Sequence, residues 1–256
     1  MIKVGVVGAN GKMGATVVNT VLNNDNLELC CAIDKFDTDK IINGKIKIET
    51  DLELSLKENN PDIVVDFTQP SVIFENIKIY MKLGIKSVIG TTGLTKEQIL
   101  EIEKLSKETN TGIIIAPNFS IGAILMMEFA AKASKYFSNA EIIEYHHNQK
   151  KDAPSGTALL LADSITQSLD NSLEYRFSRH DLHKKRNKNE IGFSSIRGGN
   201  IVGEHTVKFF GLHETFEISH ISYSRSVFAD GALKAAEFLI NKPSGLYGMD
   251  DLIDKK

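Results

Sequence analysis

Short apolar runs alternate with amphipathic segments along the first half of the chain. The runs are rich in β-branched residues, which is typical of buried strands, and the segments between them repeat apolar positions at helical spacing. This alternation predicts a parallel sheet with helices on both faces, that is, an α/β fold. The predicted strands are Ile2–Val7, Leu29–Ile33, Ile63–Phe67, Ser87–Ile89 and Gly112–Ala116, and the predicted helices are Lys12–Asn23, Val72–Leu83 and Lys96–Thr109.

The pattern changes near Asn118, where a second domain is expected to begin. Its predicted elements are a helix over 121–136, a strand over 141–147, a helix over 156–169 and three strand-like runs over 191–196, 205–210 and 214–221. The three runs are spaced for antiparallel pairing, which predicts an α+β domain. A last helix over 227–240 would return to the first domain. The predicted boundaries are residues 1–118 with 226–256 for the first domain and residues 119–225 for the inserted one.

Composition and charge exclude several classes of function. The chain has 256 residues, 42% of them hydrophobic and 25% charged, which suits a globular protein with a substantial core. A net charge of −3 gives no overall field for nucleic acid or an anionic membrane, so neither partner is expected. The adjacent Cys30 and Cys31 cannot form a disulfide framework, and neither a signal peptide nor a spanning segment is evident. The cytoplasm is the expected compartment.

The first motif with chemical content runs from Gly8 to Gly14, directly after the first strand. Glycines at 8, 11 and 14 would let backbone amides approach a pyrophosphate at the start of a helix, although the spacing differs from the common G-x-G-x-x-G. Asp34 ends the second strand, where a dinucleotide site needs a carboxylate for the adenosine ribose, and Lys35 could partly neutralise a 2′-phosphate. These residues predict a Rossmann-type domain that uses both NADH and NADPH, with some preference for NADH. A glycine turn that only packs strand on helix is the alternative.

Two further strand ends carry small polar residues. Gly90–Thr92 follow the fourth predicted strand and Ala116–Phe119 follow the fifth. Ligands of open parallel sheets bind outside the carboxyl ends of the strands, so both segments are expected to border the same crevice. Either segment taken alone is also compatible with ordinary turn chemistry.

The segment from His146 to Thr157 places imidazoles and cations before a helix. Ser155 is a good N-cap, so the amides of Gly156 and Thr157 should point outward with the positive end of the helix dipole. A carboxylate would bind there, and an imidazole can donate a proton near neutral pH. The segment therefore predicts a site for an anionic substrate that also receives a proton.

These motifs together resemble the 4-hydroxy-tetrahydrodipicolinate reductase (dihydrodipicolinate reductase) family of the diaminopimelate and lysine pathway. The resemblance runs nearly from end to end of the chain. Its motifs are GANGKMG at 8–14, VVDFTQP at 64–70, IGTTGL at 89–94, APNFSIG at 116–122, EYHHNQKKDAPSGTA at 144–158, RGGNIVGEHTVKFFG at 197–211 and SRSVFADGA at 224–232.

The resemblance implies a role for each matching residue and a substrate that is a small cyclic dicarboxylate. His146 would be the proton donor and acceptor, Lys150 a second donor and mainly an anion clamp, and no metal is implied. The implied substrate contacts are His147, Gly156 and Thr157. The implied NADH or NADPH contacts are Gly8, Ala9, Asn10, Gly11, Lys12 and Met13 for the pyrophosphate, Asp34 and Lys35 for the adenosine ribose and its phosphate, and Gly90, Thr91, Thr92, Ala116, Pro117, Asn118 and Phe119 for the nicotinamide. The family's second domain has a mixed sheet and assembles homotetramers.

Two other functions stay open at the level of sequence. A non-catalytic NAD(H) sensor would keep the glycine loop and Asp34 but would not need His146 and Lys150. A semialdehyde dehydrogenase of a related pathway would usually add a catalytic cysteine, whereas both cysteines lie in a predicted strand. The basic segment over 176–190 is expected to be a solvated loop, because it lacks periodicity and interleaved aromatic residues.

Overall fold

The computed structural model describes residues 1–36, 40–169, 172–180, 183 and 185–253. The chain forms two compact units. Unit 1 comprises Met1–Ser120 and the C-terminal stretch from Arg225, and unit 2 comprises Ile121–Ser224. The boundaries expected from the sequence lie within two residues of these.

Thirteen strands and seven α-helices are assigned among the described residues, together with a 3₁₀ helix at Met249–Leu252. In chain order the strands are β1 (Ile2–Val7), β2 (Leu27–Ile33), β3 (Ile41–Ile42), β4 (Ile46–Glu49), β5 (Ile63–Asp66), β6 (Lys86–Ile89), β7 (Gly112–Ile115), β8 (Asn139–His146), β9 (Glu174–Arg176), β10 (Glu190–Arg197), β11 (Gly203–Phe210), β12 (Thr215–Ser222) and β13 (Gly245–Tyr247). The helices are α1 (Lys12–Leu22), α2 (Leu52–Asn59), α3 (Ile73–Leu83), α4 (Lys96–Glu108), α5 (Ile121–Ala133), α6 (Gly156–Gln167) and α7 (Ser226–Ile240).

Unit 1 contains an eight-stranded sheet in the order β13-β7-β6-β5-β1-β2-β4-β3. All of its pairings are parallel except that of β3 with β4. The continuous β-branched runs of β1, β5 and β6 are buried, as expected for strands covered on both faces. This architecture confirms the predicted Rossmann-type α/β fold, and places the carboxyl ends of β1, β2, β5, β6 and β7 along one edge of the sheet.

The last long helix, α7, belongs to unit 1, as the sequence indicated. It packs against α1 and against β5, β6 and β7. Its buried stripe is made of small residues, among them Ala229, Gly231 and Ala232. A Cβ at Gly231 would lie 1.8 Å from the carbonyl oxygen of Phe119, so only glycine permits this approach of helix and loop. None of the described helices has the length and apolar character required to cross a bilayer.

Unit 2 contains a five-stranded mixed sheet in the order β12-β11-β8-β10-β9. The helices α5 and α6 contribute Met126, Ala130, Leu161 and Ile165 to a core with the inward side chains of β8, β10 and β11. The predicted mixed-sheet domain is therefore confirmed. The antiparallel pairing expected for its last three strands is confirmed for β11 with β12 and was wrong for β10. β11 and β12 form an antiparallel hairpin, whereas β10 pairs in parallel with β8. The long connection through α6 returns the chain for a parallel crossover, which strand spacing alone does not indicate.

Candidate active site

A cavity of about 700 Å³ lies at the carboxyl ends of β1, β2 and β5, within unit 1. Six of the eight residues predicted from the sequence for the pyrophosphate and ribose end of a dinucleotide line it, namely Gly8, Asn10, Gly11, Lys12, Asp34 and Lys35. The sequence analysis did not single out Phe36, Thr50, Leu52, Ser71, Val72 and Asn76, which also line it. These come from loops and first helical turns, whose convergence depends on strand order.

The glycine loop fits a dinucleotide because side chains are excluded from it. Gly8 has a φ of +80°, and a Cβ there would lie 2.6 Å from the carbonyl oxygen of Phe67. A Cβ at Gly14 would lie 1.9 Å from the carbonyl oxygen of Gly8, so α1 packs directly on the loop. Gly11 is the N-cap of α1 and has no side chain to cap it, which leaves first-turn amides, including those of Lys12 and Met13, available to an anion.

Asp34 lies at the cavity and also holds the glycine loop in place. Its carboxylate accepts hydrogen bonds from the amide of Asn10 at 2.9 Å and from the amide of Phe36 at 3.2 Å. The Asn10 side chain in turn donates to the carbonyl of Phe36 at 2.6 Å. Each carboxylate oxygen has a second lone pair, so ribose hydroxyls can still bind Asp34. Lys12 and Lys35 line the same cavity, and the Nζ of Lys40 lies 3.5 Å from the Asn10 side-chain oxygen.

A buried carboxylate, Asp66, organises the neighbouring strand ends. It accepts hydrogen bonds from the Thr68 amide and hydroxyl, from Asn76 at 3.0 Å and from the Tyr80 hydroxyl at 2.6 Å. The Thr91 hydroxyl adds a fifth bond at 3.3 Å. Burial raises the pKa of Asp66, against the opposing effect of the bonds from Thr68, Tyr80 and Asn76. Asp66 thus fixes Thr68 and Asn76, which line the cavity, and Thr91, which was predicted to contact the nicotinamide.

The residues predicted for the nicotinamide end do not line this cavity, although they follow β6 and β7 at the same edge of the sheet. Gly90 is packed so closely on Phe67 that a Cβ would lie 2.1 Å from its ring. Phe119 is buried with its ring against that of Phe67, the centroids being 5.7 Å apart. Within this set Thr91, Ala116 and Asn118 are also buried, whereas Thr92 and Pro117 are exposed. Ala9 and Met13, predicted for the pyrophosphate, belong to the glycine loop and α1 without lining the cavity.

The second group of chemically active side chains is in unit 2, at the end of β8. Alternate residues of this strand are buried, and the buried set includes Glu144 and His146. Glu144 has no exposed surface, and it is hydrogen-bonded to Nδ1 of His146. Residues two apart on a strand share a face, which brings these two side chains together. His147 lies beyond the strand, and its amide donates to the carbonyl of Ile201 at 2.8 Å.

Arg197, at the end of β10, binds the other oxygen of Glu144 at 2.7 Å. The same guanidinium donates to the carbonyl of Asp152 at 2.7 Å, which connects Glu144 to the loop that carries Lys150. Burial would raise the pKa of Glu144, but hydrogen bonds from His146, Arg197 and Ser195 outweigh it and lower that pKa to about 2. Glu144 is therefore a carboxylate at neutral pH.

His205 completes this group from β11, where it is the register partner of Glu144. Its ring lies edge-on to that of His146, with 5.1 Å between centroids, and its Nε2 is hydrogen-bonded to Ser155 Oγ at 2.9 Å. Burial, and then the neighbouring charge of His146, lowers the pKa of His205 to about 3, so this imidazole is neutral at pH 7.

The donor atoms of Glu144, His146 and His205 lie within 4.8 Å of one another, a spacing that a metal ion could also use. The guanidinium of Arg197 against the same carboxylate opposes the addition of a second cation. Hydrogen bonding within the protein therefore explains this cluster better than metal coordination does.

The start of α6 has the geometry that the sequence indicated. Ser155 is the N-cap, and its hydroxyl accepts from the amide of Ala158 at 3.2 Å. Gly156 is exposed, and a Cβ there would meet no atom within 4 Å, so a ligand has room at this terminus. Lys150, in the preceding loop, forms an ion pair with Asp152 at 2.8 Å. A substrate carboxylate at Lys150 would compete with this acid.

Sequence reasoning missed Glu144, Arg197 and Asp66 as residues of the two groups. The sequence gives a signal for Glu144, because it stands two positions before His146 in a predicted strand. Arg197 gives no such signal, since it is 53 positions from Glu144 along the chain.

The basic segment over 176–190 is not the purely solvated loop that was expected. Arg179 and Arg186 bind Glu141 at 2.9 Å and 3.1 Å. Arg179 also pairs with the buried Glu190, and Arg186 donates to the carbonyl of Ala140 at 3.0 Å. Two of its cations therefore neutralise carboxylates of β8 and β10. Residues 181, 182 and 184 of this segment lie outside the described residues.

Comparison with known proteins places both units in one family. The family model "Dihydrodipicolinate reductase, N-terminus" matches residues 2–119, and "Dihydrodipicolinate reductase, C-terminus" matches residues 122–253. A 4-hydroxy-tetrahydrodipicolinate reductase of Caldanaerobacter subterraneus is 42% identical over 100% of this chain and 99% of its own length. One from Methanosarcina barkeri is 39% identical over 99% of each.

A solved structure agrees with these sequence relatives. The dipicolinate-bound dihydrodipicolinate reductase from Paenisporosarcina sp. TG-14 is 33% identical and superposes with a TM-score of 0.82 over 97% of both chains. The two matched family models, the full-length relatives and this superposition agree from one end of the chain to the other. The chain belongs to the dihydrodipicolinate reductase family.

Proposed function

We propose that this chain reduces 4-hydroxy-tetrahydrodipicolinate to tetrahydrodipicolinate with His146 as the proton donor and acceptor. The observation that carries this assignment is the contact of a buried imidazole with a fully buried carboxylate, close to a helix N-terminus and a lysine. A proton donor and an anion site of this kind have no use in a non-catalytic NAD(H) sensor. Cys30 and Cys31 lie within β2, which does not suit a dehydrogenase with a catalytic cysteine.

The chain is an NAD(P)H-dependent oxidoreductase of the diaminopimelate and lysine pathway, as its full-length relatives are named reductases of this substrate. The cavity and the side-chain-free glycine loop fit a dinucleotide. When bound, NADH or NADPH supplies the hydride that adds to C4 of the conjugated substrate ring. The first-turn amides of α1 would hold the pyrophosphate, and Asp34 would hold the adenosine ribose.

The substrate side requires two carboxylates to be neutralised and one proton to be delivered. The N-terminus of α6 would bind one carboxylate through the amides of Gly156 and Thr157, and Lys150 would displace Asp152 to bind it as well. His147 would add a further contact. After water leaves the hydroxylated ring and the hydride adds to C4, negative charge moves toward the ring nitrogen. His146 then supplies the proton, with Lys150 as the second donor, so that one hydride and one proton are added in total.

The test of this function is oxidation of the reduced cofactor, followed at 340 nm, with freshly prepared substrate. We expect turnover that depends on this substrate and inhibition by pyridine-2,6-dicarboxylate, the planar dianion bound by the Paenisporosarcina relative. An absence of turnover by a folded chain that binds NADH with micromolar affinity would instead support the sensor function.

We expect the enzyme to use both cofactors and to have a lower KM for NADH. The carboxylate of Asp34 repels a 2′-phosphate, while Lys35 at the same cavity, with Lys40 nearby, offsets part of this repulsion. The measurement is the ratio of the two KM values at fixed substrate and ionic strength. A preference for NADPH of a hundredfold would contradict the prediction.

The matched variants for this test are Lys35→Ala and Asp34→Asn. Lys35→Ala should raise the KM for NADPH more than the KM for NADH, because only NADPH carries the phosphate. Asp34→Asn should instead bring the KM values for NADH and NADPH closer together, because it removes the charge that repels the 2′-phosphate. It keeps one oxygen for the Asn10 amide but loses the acceptor for the Phe36 amide, so part of any rise in KM comes from the loop.

A homotetramer is the assembly we propose, formed through the face of the unit 2 sheet opposite α5 and α6. The register places Tyr145, Ile196, Glu204 and Ile221 side by side, on the face that alternates with the core residues of β8. Ile196 and Ile221 are large and exposed, which favours burial against another subunit. Light scattering should give about four times the chain mass of 28.3 kDa, and Ile221→Glu should give a smaller species.

We propose the cytoplasm as the compartment of this protein, since Cys30 and Cys31 are free thiols.

A further inference from the structure

Glu144 is a buried carboxylate, and both of its oxygens have hydrogen-bond partners. It has no exposed surface, and its oxygens are bound by Nδ1 of His146 and by Arg197. A carboxylate in such a place costs free energy unless it is paired and hydrogen-bonded. Most buried side chains of unit 2 are apolar, so packing alone does not require a carboxylate at this position.

We propose that Glu144 is a positioning residue for His146: it accepts a hydrogen bond from Nδ1–H, stabilises the imidazolium and leaves Nε2 to transfer the proton to substrate. The inference rests on the proposed function of His146. A hydrogen bond at one ring nitrogen fixes which nitrogen can act on the other side of the ring. Gly203 packs against this side of the ring, and a Cβ there would lie 3.1 Å from Nε2 and crowd it.

Arg197 gives this pair a second function, which is to connect it with the anion-binding loop. One guanidinium nitrogen binds both Glu144 and the carbonyl of Asp152, so the strand that carries His146 and the loop that carries Lys150 are held together. Displacement of either partner would move the other. We therefore infer that Glu144 and Arg197 act together to align the proton donor with the anion site.

The other charged groups around His146 do not replace Glu144. His205 on β11 is neutral at pH 7, because burial lowers its pKa, and it is engaged with Ser155. Burial also lowers the pKa of His220 on β12. Lys150, in the loop, is already paired with Asp152. Glu144 is thus the anion in direct contact with His146, and its removal should destabilise the imidazolium.

The decisive experiment is the pH profile of kcat/KM for Glu144→Gln. If His146 donates as an imidazolium, activity falls on the alkaline side as that proton is lost. Loss of the neighbouring negative charge should move this alkaline limb to lower pH. The affinity for NADH, measured by calorimetry, should stay within about twofold. The matched control is Glu214→Gln, which removes the same charge from an exposed position in the turn between β11 and β12 and should leave the limb unchanged.

A measurement on the unaltered protein covers the case in which Glu144→Gln does not fold. Nitrogen-15 NMR of labelled histidine should show His146 protonated at Nδ1. A neutral His146 protonated only at Nε2 would overturn the proposal. The proposal would also be overturned if Glu144→Gln left the alkaline limb in place while His146→Gln was inactive. That result would leave the proposed function intact. Full activity of His146→Gln would instead reject the proton-donor assignment itself.

A metal ion at Glu144, His146 and His205 is the competing explanation for the cluster. Dialysis of the enzyme against a chelator should leave both kcat and the pH profile unchanged. Loss of activity on chelation and its recovery with Zn²⁺ would overturn the positioning proposal in favour of coordination.

Discussion

Replacing His146 with glutamine is expected to lower kcat by about 10²- to 10⁴-fold, the contribution typical of one general acid. This corresponds to about 2.7–5.5 kcal/mol of barrier height. Glutamine keeps the bulk of the side chain and a donor toward Glu144, but it cannot release a proton. The dissociation constant of NADH should change by less than about twofold, since every residue of the glycine-loop cavity belongs to unit 1 and His146 to unit 2.

The control for this variant is His213→Gln. His213 is an exposed histidine in the turn between β11 and β12. This control makes the same chemical change away from the cluster and should keep kcat within about threefold of the starting value. Both variants should be compared by steady-state kinetics and by calorimetry with NADH and with pyridine-2,6-dicarboxylate. Equal losses of kcat and of cofactor affinity in His146→Gln would show that the residue is structural.

The parts of the molecule that the sequence predicted well are those determined by local patterns. The alternation of β-branched runs and amphipathic segments located β1, α1, β5 and α4 to within a few residues, because a buried strand and an amphipathic helix each require their own spacing of apolar positions. Ser155 was identified as an N-cap for a similar reason, since a serine before a helical run has a specific use there.

The parts that the sequence missed depend on which strands lie side by side. The parallel pairing of β10 with β8 brings Arg197 opposite His146, and thereby onto Glu144. No local spacing contains this information, because it arises from a crossover through α6. The short strands β3, β9 and β13 were missed for a different reason: with two or three residues each, they show no periodicity.

Asp34 has a structural role in addition to the functional one that its position in the sequence predicts. Its position after β2 predicted a contact with the adenosine ribose, while the structure shows that the same carboxylate binds the amides of Asn10 and Phe36. These bonds preorganise the glycine loop before any ligand binds. Removal of the carboxylate at this position would therefore weaken cofactor binding through the loop as well as through the ribose.

Gly14→Ala is expected to reduce both stability and cofactor affinity, because the added methyl group would lie 1.9 Å from the carbonyl oxygen of Gly8 and 2.6 Å from its carbon. Backbone cannot move aside as a flexible side chain can, so α1 must shift away from the loop. Forced overpacking of this kind costs about 1–3 kcal/mol and sometimes more, and each kcal/mol lowers Tm by about 2–4 °C in a domain of this size. The shift would also displace the first-turn amides that we propose hold the pyrophosphate, and we expect the affinity for NADH to fall at least about tenfold.

Gly11→Ala separates the two effects, because a Cβ at Gly11 would meet a single atom, the Gly8 carbonyl oxygen, at 3.2 Å, and its φ of −64° suits any residue. Its Tm should therefore change little, while the methyl group beside the helix terminus hinders the approach of a pyrophosphate. Thermal denaturation and NADH calorimetry on both variants distinguish the two glycines. If Gly14→Ala kept both its Tm and its affinity for NADH, the close packing of α1 on the glycine loop would not be what holds the cofactor site together.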